Sequence, residues 1–341
     1  MDILYKLDHI EGKNLGCIAI KSIKTGTIIV EEKPVCYDGG GMKSKANHVD
    51  GKVLDFIWNS YKNMSQSDKS EYNKLYNRFK SDPSFFEEWK DSLMERNVTE
   101  EMADVMVEVC GIYCSNNFLQ GVGIQSSRFN HSCAANAQFE FDKREEKFEI
   151  RTVTKIKAGE EITLNYQPLE FAMKNVKTRQ KFLLDYWTFH CMCNLCMEEC
   201  DSDDKIYEKF TKLQKEVEIL CGTKSNSWVD QNEKIKKVVS CYKEMYKLAK
   251  EKKVSRGFIF SAILNPGFTS ATQGYLLSLK ARVPTQEFKS DCETFSRVGE
   301  KISTDLFGQE KPISIEWKKR KCDFEAWIRE SPLFRNMYSS S

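Results

Sequence analysis

The sequence lacks long hydrophobic runs and lacks an excess of charge of either sign. No stretch reaches the roughly 18 consecutive apolar residues that a membrane-spanning helix requires. The 52 basic residues nearly balance the 50 acidic ones, whereas a protein that binds nucleic acid through its phosphates is usually clearly basic. We therefore expect no membrane segment and no direct binding to nucleic acid.

The beginning of the chain also lacks the hydrophobic segment of a secretory signal. We expect an intracellular protein, in the nucleus, the cytoplasm or both. In that reducing environment the thirteen cysteines should be thiols or metal ligands, not disulfides. At 341 residues the chain is long enough for two packed units.

Common catalytic arrangements of side chains are missing as well. The sequence contains no obvious pair of catalytic carboxylates and no Ser-His-Asp pattern. His131 is the only histidine within a motif, and Cys133, two residues further on, is better explained as a metal ligand than as a nucleophile. The sequence therefore offers no obvious catalytic arrangement of these two kinds.

Alternating apolar residues predict strands in the first half of the chain. The range 16–35 is expected to form two short strands joined by a turn at Thr25-Gly26. Residues 138–141 and 148–153 alternate in the same way on either side of a charged turn. This half of the chain is therefore predicted to be rich in β-structure.

Helical periodicity is found in two other regions. Residues 50–110 space apolar side chains three and four apart with charges between them, which predicts a helical insert. Beyond Cys200 the same spacing recurs and is typical of amphipathic helices that pack on a core. We therefore expect a helical domain in the last part of the chain.

Three short motifs carry most of the chemical information. In chain order they are Asn130-His131-Ser132-Cys133-Ala134-Ala135-Asn136, then Gly159-Glu160-Glu161-Ile162-Thr163-Leu164-Asn165-Tyr166, then Cys191-Met192-Cys193-Asn194-Leu195-Cys196. Their order and spacing indicate that they contribute to one site.

The cysteines of the third motif suggest a zinc site. Tetrahedral zinc requires a fourth ligand besides Cys191, Cys193 and Cys196, and both Cys133 and Cys200 are candidates. Cys133 is favoured because it would attach the distal tail to the sheet that holds the first motif. A zinc finger that reads nucleic acid would need a second pair of ligands and a basic helix, and neither is present.

Together, Asn-His-Ser-Cys-x-x-Asn, Gly-Glu-Glu-Ile-Thr-x-x-Tyr and Phe-x-Cys-x-Cys-x2-Cys resemble the motifs of SET-domain protein-lysine methyltransferases with a cysteine-containing post-SET tail. The resemblance runs from about Gly12 to Cys196. It is strongest to the split SET-and-MYND group, in which an insert divides the SET core and a helical domain follows. No cysteine falls between Cys36 and Cys110, so the MYND zinc finger of that group is missing.

The resemblance implies an α+β fold, with a β-rich SET domain that contains a pseudoknot and is split by a helical insert. A zinc-binding post-SET segment and an all-helical C-terminal domain would follow. The implied units are residues 1–36 (N-terminal SET part), 37–108 (helical insert), 109–168 (core SET part), 169–200 (post-SET zinc segment) and 201–341 (helical C-terminal domain).

The resemblance also implies roles for individual residues. Tyr166 corresponds to the catalytic tyrosine and, with Trp187, lines the channel for the substrate lysine. Phe189 corresponds to the post-SET aromatic residue that stacks on the adenine of S-adenosylmethionine. The other implied cofactor contacts are Lys13, Asn14, Leu15, Gly16, Asn116, Asn130, His131 and Tyr166, and the implied zinc ligands are Cys133, Cys191, Cys193 and Cys196.

The expected activity is S-adenosylmethionine-dependent transfer of a methyl group to a lysine side chain of a protein, either histone or non-histone. One alternative is a catalytically silent SET-like module that binds a protein partner. It stays open because the family's Gly-x-Gly appears here as Asn14-Leu15-Gly16, where Asn14 must adopt a conformation that glycine takes freely. Another is a chromatin-associated zinc module that binds nucleic acid through 318–321, although so short a basic run is more often a solvated face.

Overall fold

The first antiparallel sheet lies at the beginning of the chain. β1 (Tyr5–Ile10) pairs with β2 (Asn14–Ala19), and the other edge of β2 pairs with the short β6 (Glu161–Ile162). This sheet therefore joins the N-terminal strands to the second motif. The computed structural model describes residues 3–37, 51–81, 83–118, 121–198, 203–225, 227–254 and 256–330.

The second antiparallel sheet has the strand order β3-β5-β4. Its strands are β3 (Ile28–Glu32), β4 (Ala137–Asp142) and β5 (Lys147–Thr152). β4 and β5 form a hairpin in which Ala137 lies opposite Thr152 and Asp142 opposite Lys147. The hairpin confirms the prediction made from the alternating residues around the charged turn.

The two strands predicted within 16–35 are present, but they do not pair with each other. β2 belongs to the first sheet and β3 to the second. The connection is held by other parts of the chain, because Ile23 forms a bridge with Ile156 and the Gly26 N–H donates to the Thr152 carbonyl at 2.9 Å. The preceding strand, β1, was not predicted at all.

A hydrophobic core lies under both sheets and reaches the first two motifs. Cys17 of β2, Ile150 of β5 and Ile162 of β6 are fully buried in it, as is Phe129 immediately before the first motif. Burial of a side chain such as that of Phe129 contributes about 1.5–3 kcal/mol to folding. The core thus fixes the backbone from which the motifs emerge.

The insert is a small helical unit with a core of its own. Its last helix, Glu100–Asn116, continues past residue 108, where the sequence analysis ends the insert. The division of the chain into units stays a prediction. Buried Leu54, Ile57, Tyr72 and Cys110 are part of the core. The helices are α1 (Gly51–Lys62), α2 (Gln66–Tyr72), α3 (Pro83–Met94) and α4 (Glu100–Asn116).

The described part of the chain beyond residue 200 is helical, which confirms the prediction of a helical C-terminal part, whereas the helices between residues 176 and 197 were not predicted. Its core includes the fully buried Phe210, Ile263 and Trp317. Among the described residues, no helix is both long enough and apolar enough to cross a membrane. The helices are α5 (Val176–Trp187), α6 (Asn194–Met197), α7 (Asp204–Gly222), α8 (Trp228–Glu251), α9 (Arg256–Phe258) with the π-helical turn Ile259–Leu264, α10 (Asn265–Lys280), α11 (Gln286–Phe307), α12 (Pro312–Cys322) and α13 (Phe324–Glu330).

Charged side chains connect these helices to the second sheet. The Nζ of Lys311 lies 2.7 Å from the Asp142 carboxylate on β4 and 3.7 Å from Glu149 on β5. Arg151 pairs with the same Glu149 at 2.7 Å and donates to the Gly26 carbonyl at 2.8 Å. The helical region is thereby attached to the face of the β4–β5 hairpin.

We expect Lys311→Met to lower the free energy of unfolding at pH 7 by at most about 1 kcal/mol, since water screens this partly exposed pair. Lys311 is the main cause of a lowered Asp142 pKa, about 2 in the folded protein. A folded pKa below the unfolded value means that the stabilisation is present above about pH 4 and is lost as the pH falls through 2. Urea unfolding at both pH values, with the exposed Lys301→Met as control, measures the difference; an equal effect at pH 7 and pH 2 contradicts this linkage.

Candidate active site

The first two motifs lie side by side and are held by hydrogen bonds. The Leu164 N–H donates to the Asn130 carbonyl at 2.9 Å. The side chain of Asn136 holds the neighbouring strand on both sides: its Nδ2 donates to the Glu161 carbonyl at 2.8 Å, and its Oδ1 accepts from the Thr163 N–H at 2.9 Å. The two motifs are thereby fixed relative to each other.

The imidazole of His131 connects these motifs to the cysteines. The side chain is buried, and its Nδ1 accepts a hydrogen bond from the backbone N–H of Tyr166 at 3.0 Å. The hydrogen of the neutral ring is then on Nε2, which lies 3.4 Å from the Sγ of Cys133. One ring therefore links the backbone of Tyr166 to the thiol group of the proposed metal ligand.

Tyr166 lies at the centre of a group of aromatic rings. Its ring centroid is 5.0 Å from that of Trp187, 5.4 Å from that of His131 and 6.4 Å from that of Phe189, which it meets edge-on. Its hydroxyl donates to the Phe129 carbonyl at 2.5 Å. Burial, followed by the neighbouring Cys17 and Glu161, raises the pKa of the phenol well above its usual value. The hydroxyl is therefore a hydrogen-bond donor at neutral pH and not a proton acceptor.

Trp187 and Phe189 are brought to Tyr166 by a left-handed residue between them. Trp187 ends α5, and Thr188 caps the helix with φ 58°. This conformation is unfavourable for a β-branched residue, and such strain is found mostly where a site depends on it. It turns the chain so that the Phe189 ring lies 5.9 Å from that of His131.

Four cysteine side chains meet beside this group of rings. The Sγ atoms of Cys133, Cys191, Cys193 and Cys196 all lie within 4.8 Å of one another. Four thiolates around tetrahedral zinc would be about 3.8 Å apart, given Zn–S bonds of about 2.3 Å. Hydrogen bonds from the other three thiols, above all Cys133, lower the pKa of Cys191. The donor set fits a structural zinc ion, and Cys200, the other candidate ligand, lies outside the described residues.

Two side chains of α5 support the cysteines from behind. The amide of Gln180 holds Cys191 by both backbone groups: its Nε2 donates to the carbonyl at 2.6 Å, and its Oε1 accepts from the N–H at 2.8 Å. The fully buried Arg179 places Nη2 3.6 Å from the Sγ of Cys196. Its positive charge offsets part of the negative charge that thiolate ligands would carry.

The loop between β1 and β2 reaches the first motif. Asn14 has φ 61°, which confirms the left-handed conformation expected where the family has glycine. The Nδ2 of Asn130 donates to the Leu15 carbonyl at 3.0 Å, and the Nζ of Lys13 lies 2.6 Å from the Glu161 carboxylate. Lys13, Leu15 and Asn130, all of them predicted cofactor contacts, are therefore close together.

Glu161 was not given a role by the sequence reasoning, although it belongs to the second motif. Its carboxylate contacts both Lys13 and the Nδ2 of Asn130. The sequence signal that could have indicated a role was the acidic side chain of Glu161 within the second motif. In the structure, this residue begins β6, which pairs with β2 beside the predicted cofactor loop. Register between β2 and β6 was needed to place it.

Asn116 is also a predicted cofactor contact, but the hydrogen bonds of its side chain do not connect it to Lys13, Leu15 and Asn130. Its Nδ2 donates to the carbonyls of Tyr76 and Ile112, both at 2.7 Å. These partners belong to the insert and to α4 itself. The amide therefore stabilises the end of α4, and the role that the resemblance implied for it stays a prediction.

The basic run at 318–321 lies on α12 and is partly used inside the protein. The guanidinium of Arg320 lies 4.6–4.8 Å from the ring centroids of Phe268, Trp317 and Trp327. Lys321 pairs with Glu300 at 3.1 Å. These contacts favour a structural role for the run.

Residues 14–167 match the family model of the SET domain. This range contains the loop between β1 and β2, the first two motifs and Tyr166, so these parts of the site lie within the region that is similar to the SET domain. The range also encloses the helical insert, as in a split SET domain.

Several curated proteins are similar to this chain. A SET domain-containing protein of Acanthamoeba polyphaga mimivirus is 29% identical over 60% of this chain and 81% of its own length. Histone-lysine N-methyltransferase set5 of Schizosaccharomyces pombe is 27% identical over 58% of this chain and 51% of its own. A SET and MYND domain-containing protein of Dictyostelium discoideum is 33% identical over 25% of this chain and 20% of its own. The chain thus spans most of the viral relative, about half of set5 and about a fifth of the Dictyostelium protein.

Proposed function

We propose that this protein is an S-adenosylmethionine-dependent protein-lysine N-methyltransferase. The observation that carries the proposal is the meeting of three distant motifs around Tyr166, two of which lie within the range that matches the SET domain. Relatives whose names describe them as lysine methyltransferases support protein-lysine methylation in general. The substrate is proposed to be a lysine-bearing segment of a histone or another intracellular protein.

The proposed cofactor site consists of Lys13, Asn14, Leu15, Gly16, Asn116, Asn130, His131, Tyr166 and Phe189. When bound, S-adenosylmethionine supplies a methyl group attached to positively charged sulfur. The half-buried Asn130 offers a polar amide, and the face of Phe189 offers an apolar surface of the kind on which an adenine stacks. Both features fit the chemistry of the cofactor.

The chain must align an uncharged lysine amine for in-line displacement. With an ordinary lysine pKa near 10.4, deprotonation at pH 7 costs roughly 4–5 kcal/mol. A channel lined by Tyr166 and Trp187 removes water from the amine and thereby favours its neutral form. Because Tyr166 stays protonated, we propose that it orients the amine and supports the transition state without acting as a base.

Cys133, Cys191, Cys193 and Cys196 are proposed to bind one structural zinc ion. Four protein sulfur atoms would complete the coordination of a tetrahedral zinc ion and would leave no open position for a substrate. The role of the metal would be to hold the tail that carries Trp187 and Phe189 against the first motif. His131 extends that support to the backbone of Tyr166.

Thermal unfolding of the purified protein with S-adenosylhomocysteine tests the proposal directly. A ligand that binds the native state raises its apparent stability, by about 2.7 kcal/mol at 100 times Kd. No rise at saturating ligand would favour the silent protein-binding module instead. Methylation of a whole proteome with labelled donor, followed by mass spectrometry, would then identify the substrate and the number of methyl groups.

A further inference from the structure

Glu161 contacts two parts of the proposed cofactor site through separate oxygen atoms. Its Oε2 lies 2.6 Å from the Nζ of Lys13, at the start of the loop between β1 and β2. Its Oε1 accepts a hydrogen bond from the Nδ2 of Asn130 at 2.9 Å. The side chains of Glu161 and Lys13 are only 17% and 23% exposed, so solvent screens these interactions incompletely.

The carboxylate also determines the orientation of the Asn130 amide. An ionised carboxylate only accepts hydrogen bonds, so the nitrogen of the amide must face it. The second hydrogen of Nδ2 goes to the Leu15 carbonyl at 3.0 Å, which is another acceptor. Rotation of the amide by half a turn would place Oδ1 against both acceptors and is electrostatically unfavourable.

This orientation leaves the Oδ1 of Asn130 to accept a hydrogen bond from a ligand. Among the described residues, no side chain or backbone group donates to that oxygen. S-adenosylmethionine carries a primary ammonium and a sulfonium, and a fixed acceptor oxygen suits either positive group. The opposite orientation would present an NH2 group and would repel them.

Gly16 provides the space that this arrangement needs. A Cβ at position 16 would lie 2.6 Å from the Nδ2 of Asn130 and 3.0 Å from the Oε1 of Glu161. Both distances are too short for ordinary contacts between these atoms. The loop, the carboxylate and the amide are thus packed as one unit.

We propose that Glu161 is a positioning residue for the cofactor: it keeps the Asn130 amide oxygen turned towards a cationic group and holds residues 13–16 beside it. This inference rests on the proposed function. It assigns to Glu161 no contact with the reacting atoms. Its effect is therefore expected on cofactor affinity more than on kcat at saturating cofactor.

The test is calorimetric titration of the full-length protein with S-adenosylhomocysteine. Glu161→Gln keeps the size of the side chain, removes its charge and adds an NH2 group that permits the Asn130 amide to rotate. The Kd is expected to rise about tenfold or more, the effect of losing a hydrogen bond to a charged group.

The matched control is Glu160→Gln, which makes the same change of charge one residue away. Glu160 is exposed and its carboxylate accepts from the Lys157 N–H at 2.9 Å. We expect its Kd to equal that of the wild type, and all variants to keep their cysteine-bound metal. An unchanged Kd in Glu161→Gln or an equal rise in Glu160→Gln overturns the inference. Failure of the wild type itself to bind contradicts the proposed function, which is a distinguishable result.

Discussion

Replacement of Tyr166 by phenylalanine is expected to lower kcat of methyl transfer by about a hundredfold to a thousandfold, the range found when one preorganised polar group is removed from an active site. The ring stays, and with it the contacts to Trp187 and Phe189. The hydroxyl that donates to the Phe129 carbonyl is lost. Affinity for S-adenosylhomocysteine should be almost unchanged, because the hydroxyl is proposed to orient the amine.

Tyr72→Phe is the matched control for that experiment. Its hydroxyl also donates to a buried carbonyl, that of Val109 at 2.9 Å, but in the core of the insert. Each variant should lose about 1 kcal/mol of stability with its hydrogen bond, and only Tyr166→Phe should lose activity. Steady-state kinetics on a substrate identified by proteome methylation provide the measurement. Full activity of Tyr166→Phe would refute the catalytic assignment.

Replacement of Cys133 by serine is expected to remove the metal and to destabilise the protein by several kcal/mol. The physical reason is that structural zinc can supply about 10–16 kcal/mol of binding energy to a small folded unit, and a hydroxyl is a poor replacement for a thiolate. Elemental analysis of the purified full-length chain should find about one zinc ion in the wild type and much less in the variant. Thermal unfolding should shift to lower temperature in parallel.

Cys292→Ser controls for the loss of a buried thiol. Cys292 is fully buried in the helical core and lies outside the group of four cysteines. Its replacement should leave the zinc content unchanged. Cys200→Ser tests the other candidate ligand: loss of zinc in that variant, with zinc kept in Cys133→Ser, would reverse the choice of fourth ligand.

Loss of the metal should also reduce activity, because His131 joins the two sites. Its Nε2 lies 3.4 Å from Cys133 Sγ, and its Nδ1 accepts from the Tyr166 N–H. When the cysteines separate, the ring loses one of its two partners. Tyr166 then loses part of the support that fixes its backbone.

The grouping of the thiols could be predicted in part from the sequence. Cys191, Cys193 and Cys196 lie within six residues, so local spacing alone brings them together. The choice of Cys133 over Cys200 depended on a contact across 63 residues, and the 3.5 Å between Cys133 and Cys196 Sγ agrees with it. Such a contact has no local signal, and it was favoured only because it would connect two motifs.

Other features could not be predicted, for identifiable reasons. β1 alternates weakly and leaves Leu7 exposed, so its pattern does not differ from that of a surface segment. The pairing of β2 with β6 depends on hydrogen bonds between distant parts of the chain. The hydrogen bonds from the Asn116 amide to the carbonyls of Tyr76 and Ile112 likewise have no signal in the local sequence.

By itself, the sequence determined the helical character of the insert and of the last part of the chain, where the β4–β5 hairpin turns and which motifs carry chemically active side chains, because these depend on periodicity and residue type over a few positions. Only the tertiary structure decided what those side chains touch. Lys13 and Glu161 are 148 residues apart and meet at 2.6 Å because β2 and β6 are neighbours in one sheet. Strand pairing and core packing, which no local pattern encodes, therefore turn three separate motifs into a single site.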